Sequence, residues 1–403
     1  APQGCDPMEG VDLEKCDGLD NDCDGEIDED LGSTECGLGV CTHTIQNCVG
    51  GAPQGCDPME GVDLEKCDGL DNDCDGEVDE ACGCWKLELT VTETSGAELV
   101  DYQVPIELGA GDAVWAVIGD SCQNVGVFLP GGEALPFWVE QCDVPGQSAR
   151  LWTKLPGLAA QGEAVVHLFF SEEGFVQNPA GVFEFFDDFT DGDYESTWKK
   201  SVQDEVDMVE QDGMMRVRPI KSGDFGVAVC TAFQFQPQAQ GYGLFYRSRR
   251  IDSSCEGHGV NLFHADEYNP STQNASYNTG NDPKSGFRFL AGQGIRCTSL
   301  TGLEAAESSG SAWTLLSTPA HSYNDDAWYR HEVTYDVESE QFTFSAEGIP
   351  VQAEFGSGAW KGGLFSLSNF DEDAFADWDY VAVRRFISAE PVVAKGEVQG
   401  LCN

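Results

Sequence analysis

The residues Trp85-Lys-Leu-Glu-Leu-Thr-Val-Thr92 decide the fold class of most of the chain, because apolar side chains stand at every second position. The same alternation recurs over residues 102–108, and residues 164–170 form a short apolar run. Successive side chains of a strand point to opposite faces, so this period of two predicts strands with one buried face. Glycine and proline punctuate these runs, and no long helical pattern interrupts them. The sequence therefore predicts an all-β fold with antiparallel β-sandwiches.

Before these strands lies an acidic loop, Asp20-Asn-Asp-Cys-Asp-Gly-Glu-Ile-Asp28, with a near copy at residues 71–79. Residues 1–26 recur unchanged as 52–77, so the two loops belong to an internal repeat. Carboxylates at alternate positions around a glycine turn supply the oxygen ligands that Ca²⁺ prefers. Glu26 and its copy would contribute a backbone carbonyl. The predicted calcium ligands are Asp20, Asp22, Asp24, Glu26, Asp28, Asp71, Asp73, Asp75, Glu77 and Asp79.

A solvated acidic linker is the alternative interpretation of these loops, but the acids are regularly spaced and cysteines bracket each loop. Position 12, a glutamate in helix-loop-helix calcium sites, is Leu31 in the first loop and Cys82 in the second. The missing ligand is expected from Asp17 or Glu29, from their equivalents in the second copy, or from water. Because extracellular sites of this kind bind calcium weakly, we expect the ion to stabilise the structure of the loops.

The charge of the chain excludes several classes of partner. The formal net charge is -50, and residues 1–84 carry 24 acids against Lys15 and Lys66. Such a surface repels phosphate backbones and anionic lipids, so neither nucleic acid nor a membrane surface is an expected partner. No apolar stretch approaches the roughly 20 residues of a membrane-spanning helix.

Seventeen cysteines predict a disulfide framework and an oxidising compartment. Zinc is the competing interpretation, which the absence of any Cys-x-x-Cys pair disfavours. Cys122 and Cys142 are expected to pair within the first sandwich, whereas the connectivity of the repeat cysteines stays open. The predicted disulfide cysteines of the repeats are Cys16, Cys23, Cys36, Cys41, Cys48, Cys56, Cys67 and Cys74.

The odd number of cysteines leaves at least one sulfur free or joined to another chain. Cys5 and Cys402 are the candidates for such an intermolecular bond, and a missing upstream segment would explain Cys5 equally well. The chain opens on Ala1-Pro2 without a signal peptide, so we expect a mature secreted protein or a fragment whose leader has been removed.

Two segments, Cys16 through Glu29 and Cys67 through Glu80, resemble the MopE-type metal-binding repeat of bacterial secreted surface proteins. The shared core is Cys-Asp-Gly-x-Asp-Asn-Asp-Cys-Asp-Gly-x-x-Asp-Glu. The resemblance implies that residues 1–84 are two metal-binding repeats, 1–51 and 52–84. The family name refers to copper, but an all-oxygen ligand set suits Ca²⁺ or Mg²⁺, because copper prefers imidazole or sulfur.

Residues 85–183 resemble a domain of unknown function that is common in prokaryotic surface proteins, on the strength of segments 102–106, 135–139 and 151–155. Phe183-Glu-Phe-Phe-Asp-Asp-Phe189 is similar to the opening strand of concanavalin-A-like and laminin-G-like domains. This resemblance implies a second sandwich, a jelly roll, over residues 184–390. Residues 391–403 are then left as a C-terminal tail.

Two features of the second sandwich bear on ligands. A loop with Tyr268, Asn269 and Tyr277 resembles the aromatic and carboxamide loops with which such folds bind glycans, although a plain surface loop explains it too. Glu205-Val-Asp-Met-Val-Glu210 matches the catalytic pattern of one family of glycoside hydrolases, where two carboxylates lie about 5 Å apart. It stands too early in the domain for that role, so no enzyme is expected.

The sequence thus predicts a secreted, calcium-stabilised structural protein of the cell surface or matrix. Self-association into a filament, or binding to other surface proteins, is the expected partnership. A glycan-binding adhesin is the alternative function, and a glycoside hydrolase is a weaker third.

Overall fold

The structure is a computed structural model of the 403-residue chain. The residues that it describes are 13–22, 24–58, 74, 76, 85–119, 121–171, 174–200, 206–220, 226–236, 241–251, 257–263, 268–269, 274–275, 285–292, 302–309, 313–317, 326–346, 349–353, 360, 362–369 and 375–400.

The N-terminal region, called the stalk here and comprising residues 13–58 with Cys74 and Gly76, contains short antiparallel pairs and a 3-10 helix at Gly39–Cys41. Gly37 begins the turn between the first two strands with a φ of 90°. A Cβ there would lie 2.1 Å from the Cys41 carbonyl oxygen, so only glycine fits. The strands are β1 Ser33–Cys36, β2 His43–Gln46, β3 Cys48–Val49 and β4 Ala52–Pro53.

The first sandwich begins with the strand Trp85–Thr92. Leu87, Leu89 and Val91 are buried, as their alternation predicts. A 3-10 helix at Ala113–Ala116 and a short helix α1, Pro179–Val182, accompany the strands. These strands are β5 Trp85–Thr92, β6 Leu99–Leu108, β7 Val125–Phe128, β8 Phe137–Asp143, β9 Ser148–Leu158 and β10 Glu163–Phe170.

The second sandwich holds most of the remaining strands and a short helix α2, Tyr194–Thr197. They are β11 Phe185–Asp187, β12 Trp198–Lys200, β13 Val206–Gln211, β14 Met214–Pro219, β15 Gly226–Cys230, β16 Gly241–Ile251, β17 His258–Phe263, β18 Tyr268–Asn269, β19 Asn274–Ala275, β20 Ser285–Gly292, β21 Gly302–Ser309, β22 Trp313–Ser317, β23 Tyr329–Asp336, β24 Gln341–Ala346, β25 Ile349–Ala353, β26 Phe365–Asn369 and β27 Phe375–Phe386.

Each sandwich packs two antiparallel sheets on a hydrophobic core. In the second, the sheet β13-β14-β27-β16-β23-β24-β25, with β11 also paired to β27, faces the sheet β12-β15-β26-β17-β20-β21-β22. Large aromatic side chains such as Trp198, Trp378 and Phe344 fill the space between them. The predicted fold class, disulfide-rich repeats followed by two antiparallel sandwiches in an all-β chain, is confirmed.

The last strand, β28 Val392–Gly400, belongs to the first sandwich although it follows the second. It pairs with β5, with Val392 opposite Thr92 and Gly400 opposite Trp85, and so completes the sheet β28-β5-β10-β7. The opposing sheet is β6-β9-β8. Residues 391–403 were expected to form a C-terminal tail, but residues 392–400 form a strand at the sheet edge, where β28 covers the backbone groups of β5.

The two sandwiches meet through an aromatic cluster and a set of buried ion pairs. Trp152 of β9 stacks on Phe245 of β16 at 5.1 Å, and Phe183 packs on both rings. Beside them the Arg384 guanidinium donates to Glu332 at 2.8 Å and lies over the Trp152 ring. These contacts hold the sandwiches together as a unit with a desolvated junction.

No helix in the described part of the chain combines the length and the apolar character that a membrane crossing requires.

Candidate functional site

The first acidic loop folds around its own backbone amides. The Asp20 carboxylate is buried and accepts a hydrogen bond from the Gly25 amide at 3.2 Å. Asp22 accepts from the amide of Asp24 at 3.0 Å, and Asp24 accepts from the amide of Glu26 at 2.9 Å. One carboxylate oxygen from each of the three aspartates lies within 4.8 Å of the others. The loop therefore gathers the first three predicted ligands at one point.

Two further carboxylates hold this loop in place. Glu14 accepts from the amides of Asn21 and Asp22 at 2.7 and 2.9 Å, and from the amide of Asp28 at 3.0 Å. The Asp28 carboxylate in turn accepts from the amides of Asp17 and Gly18 at 2.9 and 3.0 Å. Asp28, predicted as a direct or water-mediated ligand, thus holds the segment that enters the loop through these two hydrogen bonds.

Glu29 is the additional acid that the structure brings to the loop. A carboxylate oxygen of Glu29 lies within 4.8 Å of oxygens of Glu14 and Asp22. Its Oε2 atom is buried and accepts no hydrogen bond from any residue the structure describes. A hydrogen bond from its own backbone lowers the pKa of Glu29, but desolvation and the charges of Glu14, Asp24 and Asp22 outweigh it and raise the pKa. Asp17, the other candidate, accepts instead from the Leu19 amide.

The donor set around Asp20, Asp22, Asp24 and Glu29 consists of oxygen atoms, which fits a hard divalent cation. Cys16 and Cys48, which lie beside Asp28, form a disulfide, so their sulfurs are not thiolate ligands. His43, the imidazole of the stalk, lies next to the Cys36–Cys56 disulfide and contacts the Cys41 carbonyl at 2.7 Å through Nδ1. A cation in this loop would relieve the repulsion between carboxylates that raises the pKa of Glu29.

The disulfides of the described residues connect the stalk across its repeats. Cys16 is joined to Cys48, Cys36 to Cys56 and Cys41 to Cys74, and in the first sandwich Cys122 is joined to Cys142. Cys41–Cys74 reaches from the segment between the loops into the second loop. Cys230 is a buried free thiol, and burial raises its pKa to about 12.

Several predicted site residues lie outside the described residues, so their roles stay predictions. In the second sandwich, Tyr268 and Asn269 form strand β18, which pairs with Asn274 and Ala275, whereas Tyr277 and Glu205 are outside the described part. The others outside it are Cys5, Cys23, Cys67, Cys402, Asp71, Asp73, Asp75, Glu77 and Asp79.

The described part of the hydrolase-like segment lies on edge strand β13. Asp207 is exposed, whereas Val206 and Met208 on either side of it are buried in the core. Glu210 accepts from the Gly192 amide at 2.7 Å, and burial, followed by the charges of Asp191 and Asp187, raises its pKa. Positions 207 and 210 face opposite sides of the strand, and Glu205, the first acid of the pattern, lies outside the described residues, so its pairing with either acid stays a prediction.

A serine and two histidines meet inside the second sandwich. Ser248 Oγ lies 3.0 Å from His258 Nε2 and 3.3 Å from His331 Nδ1, and all three side chains are fully buried. Burial, followed by the charges of His331 and Arg250, holds the pKa of His258 well below its ordinary value. This group has no access to solvent and packs as a polar part of the core.

A cleft of about 440 Å³ opens where the two sandwiches meet. Strand β8 supplies Glu140, Gln141 and Asp143 on one wall, and the second sandwich supplies Arg247, Trp328 and Arg330 on the other. No sequence pattern marks this site, because its residues come from four distant segments of the chain.

Comparison with protein families gives two matches. Residues 121–201 match the family described as "Domain of unknown function (DUF2341)". Residues 11–29 and 62–80 each match the Cu-binding MopE family, described as "Putative metal-binding motif". No curated protein matches the chain.

Solved structures with similar folds cover about half of the chain. A protein of unknown function with a galectin-like fold from Bacillus subtilis has 14% identity, covers 52% of this chain and 96% of its own, and gives a TM-score of 0.39. The Emp46p carbohydrate recognition domain, in its metal-free form, has 11% identity with coverages of 49% and 94% and a TM-score of 0.36. The carbohydrate-binding module CBM66 from Bacillus subtilis has 12% identity, coverages of 47% and 95% and a TM-score of 0.32.

At these scores the structural likenesses carry no functional argument. The resemblances to the MopE repeat and to the domain of unknown function are confirmed by the family matches: the chain carries two copies of the MopE metal-binding motif, followed by a region similar to the DUF2341 domain.

Proposed function

We propose that this chain is a structural protein of the extracellular surface, in which a calcium-stabilised stalk carries a rigid pair of sandwiches. The observation that carries the proposal is two carboxylate clusters that share Asp22, one with Asp20 and Asp24 and one with Glu14 and Glu29, in a segment whose described residues bury hardly any apolar side chain. Carboxylates so close together repel one another. A bound divalent cation neutralises that repulsion and links the carboxylates by coordinating several of them at once.

Calcium is the ion that the donor set favours. Ca²⁺ accepts six to eight oxygens in flexible geometry, whereas Mg²⁺ demands a near-ideal octahedron and retains its water. Multiple disulfides indicate an extracellular or otherwise oxidising location, where calcium is abundant enough for weak sites. The ion would be held by Asp20, Asp22, Asp24 and Glu29, while Glu14 and Asp28 keep the loop closed.

We propose further that the protein is not an enzyme and that it associates with copies of itself or with other surface proteins. A non-catalytic role is supported by the full burial of Ser248, His258 and His331. Self-association into a filament, or attachment to other surface proteins, is the partnership we propose for so acidic a chain, with divalent cations screening the repulsion between copies.

The test is limited proteolysis of the full chain with and without EDTA. We expect EDTA to speed cleavage of the stalk at least several-fold and added Ca²⁺ to restore resistance, while the sandwiches stay intact. Glu29→Gln should weaken calcium binding about ten-fold in titration calorimetry, because one charged ligand is lost. Glu35→Gln, an exposed acid of β1, is the matched control and should bind like the unaltered protein.

The calcium proposal fails if calorimetry detects no ion uptake and EDTA leaves the cleavage rate of the stalk unchanged. Electron microscopy in calcium and in EDTA examines self-assembly separately: filaments that disassemble in EDTA would support it, and single particles at every calcium concentration would oppose it.

A glycan-binding adhesin is the second candidate function. The observation that favours it is the polar cleft between the sandwiches, with an aromatic wall and charged side chains at fixed positions. The Tyr268 loop contributes no described side-chain contact to this candidate.

A further inference from the structure

We infer that the cleft between the two sandwiches is a binding site for an uncharged saccharide. This inference deepens the second candidate function and is independent of the calcium-stabilised stalk. Its volume of about 440 Å³ lies within the range of small-ligand sites, and such sites occur preferentially where domains meet.

The walls of the cleft are held rigidly by contacts below its floor. Glu140 accepts hydrogen bonds from Trp152 Nε1 and from the Tyr380 hydroxyl, each at 2.6 Å, and from the Arg330 guanidinium. Arg330 also donates to Glu332 at 3.1 Å and lies over the Phe245 ring. Because these bonds join β8 to the second sandwich, the cleft exists before a ligand arrives, which reduces the entropic cost of binding.

The mouth of the cleft presents a guanidinium group in a fixed position. The Arg247 guanidinium donates to Asp379 at 2.8 Å through Nη1 and lies over the Trp328 ring at 5.2 Å. The side chain is 45% exposed, and Nε and Nη2 have no hydrogen-bond partner among the described residues. Arg247 lines the cleft, so these donors are available to a ligand there, while Trp328 and Asp379 hold the guanidinium in place.

Acceptors stand on the opposite wall. Asp143 is exposed, and one of its carboxylate oxygens is fixed by the Gly146 amide at 2.9 Å. A Cβ at position 146 would come within 2.2 Å of the other oxygen, so a larger residue there would displace the Asp143 carboxylate. Gln141 is also exposed and offers both a donor and an acceptor. Donors and acceptors thus face each other across the cleft.

This pattern selects a polyhydroxylated ligand without net charge. The lining contains two carboxylates, Glu140 and Asp143, and two guanidinium groups, Arg247 and Arg330, so its formal charges cancel. A hydroxyl group both donates and accepts, so a sugar satisfies both walls, whereas an apolar ligand would leave them unpaired. A uronate or sulfated glycan would in addition meet the field of a chain with a net charge of -50.

The experiment is a printed array of neutral and uronic-acid-containing oligosaccharides, probed with the full chain in calcium. The neutral oligosaccharide with the strongest signal is then titrated by calorimetry. We expect Arg247→Ala and Gln141→Ala each to weaken binding about ten-fold or more, because each removes hydrogen bonds that the buried ligand cannot replace. Arg218→Ala is the matched control, since Arg218 is an exposed arginine that lies over Phe375, outside the cleft.

Thermal melting of each variant separates a local effect from unfolding. Gln141→Ala keeps the test valid if Arg247→Ala is unstable, because the Gln141 side chain is exposed. Neutral glycans that bind equally well to the cleft variants and to Arg218→Ala would overturn the cleft site while leaving the adhesin candidate standing. An array on which only acidic glycans bind, or none, would overturn the inference, and an empty array would remove the adhesin candidate too. Neither result touches the calcium proposal.

Discussion

Among the stalk residues 13–58 whose burial the structure describes, only Asp20 and Cys41 are buried, whereas the second sandwich alone encloses a core of aromatic side chains that includes Trp198, Trp378 and Phe344. The stalk is closed instead by three disulfides and by carboxylates that accept backbone amides. A segment this small cannot bury enough apolar surface to offset the conformational entropy lost on folding, so crosslinks stabilise it in place of a hydrophobic core. The two regions should therefore respond to different perturbations.

The largest contrast is expected from a core substitution. Phe344 is fully buried and packs against Phe289 at 5.5 Å, so Phe344→Ala should cost about 3–5 kcal/mol of unfolding free energy in the second sandwich. Leu38→Ala, at a 54% exposed position in the stalk, should change stability by less than about 0.5 kcal/mol. Urea unfolding followed by tryptophan fluorescence measures Phe344→Ala, and the rate of stalk proteolysis in urea measures Leu38→Ala, because all nine tryptophans lie at residue 85 or later. A comparable loss in the two variants would contradict the contrast.

The reverse contrast is expected from removing a crosslink. Cys41 and Cys74 are 33 residues apart in sequence, and a loop of that length predicts a stabilisation of about 3–4 kcal/mol from their disulfide. The double variant Cys41→Ser, Cys74→Ser should therefore expose the stalk to protease while leaving the urea midpoint of the sandwiches unchanged. A shift of that midpoint would mean that the stalk and the sandwiches stabilise each other.

A smaller effect, at most about 3 kcal/mol, is expected from acid on the junction between the sandwiches. Burial raises the pKa of Glu332, but Arg384 and Arg330 outweigh it and lower the pKa to about 2 from an ordinary 4.5. The stabilisation by this carboxylate is therefore complete above about pH 4.5 and is lost as the pH falls toward 2.

The measurement is urea unfolding between pH 6 and pH 2 in EDTA, so that the metal loop makes no contribution. Glu332→Gln should be less stable at pH 6 and should lose less stability on acidification than the unaltered protein. Glu397→Gln, an exposed acid of β28, is the control and should retain the full acid dependence. If Glu332→Gln and Glu397→Gln had the same pH profile, the junction would not depend on the charge of Glu332.

The sequence predicted most of the architecture, because burial follows the period of two in strands such as β5, β23 and β24. It also identified the acidic loop, since the spacing of Asp20, Asp22 and Asp24 survives in a second copy. The clamping role of Glu14 could have been suspected, as the repeat retains it as Glu65. The spacing of the acids does not distinguish Asp28, which holds the segment entering the loop, from the acids that lie close together. That distinction depends on which backbone amides the fold places next to each carboxylate.

Two other features of the structure could not be predicted from the sequence. Strand β28 pairs with β5 through a register shift between Lys395 and Val398, and this irregularity interrupts the alternation by which strands are recognised. The junction of Glu140, Arg330 and Arg384 joins residues up to 244 positions apart, the separation of Glu140 and Arg384. Long-range pairing of this kind leaves no local pattern.

The pairing of Gly400 with Trp85 has a mechanical consequence. Strands β5 and β28 run antiparallel, so the chain enters and leaves the two-sandwich unit at neighbouring points of one sheet. Tension applied along the chain would pass directly from one strand to the other and would separate them one hydrogen bond at a time, starting at Trp85. The two sandwiches would lie beside the line of force, and they would bear load only after β28 had separated from β5.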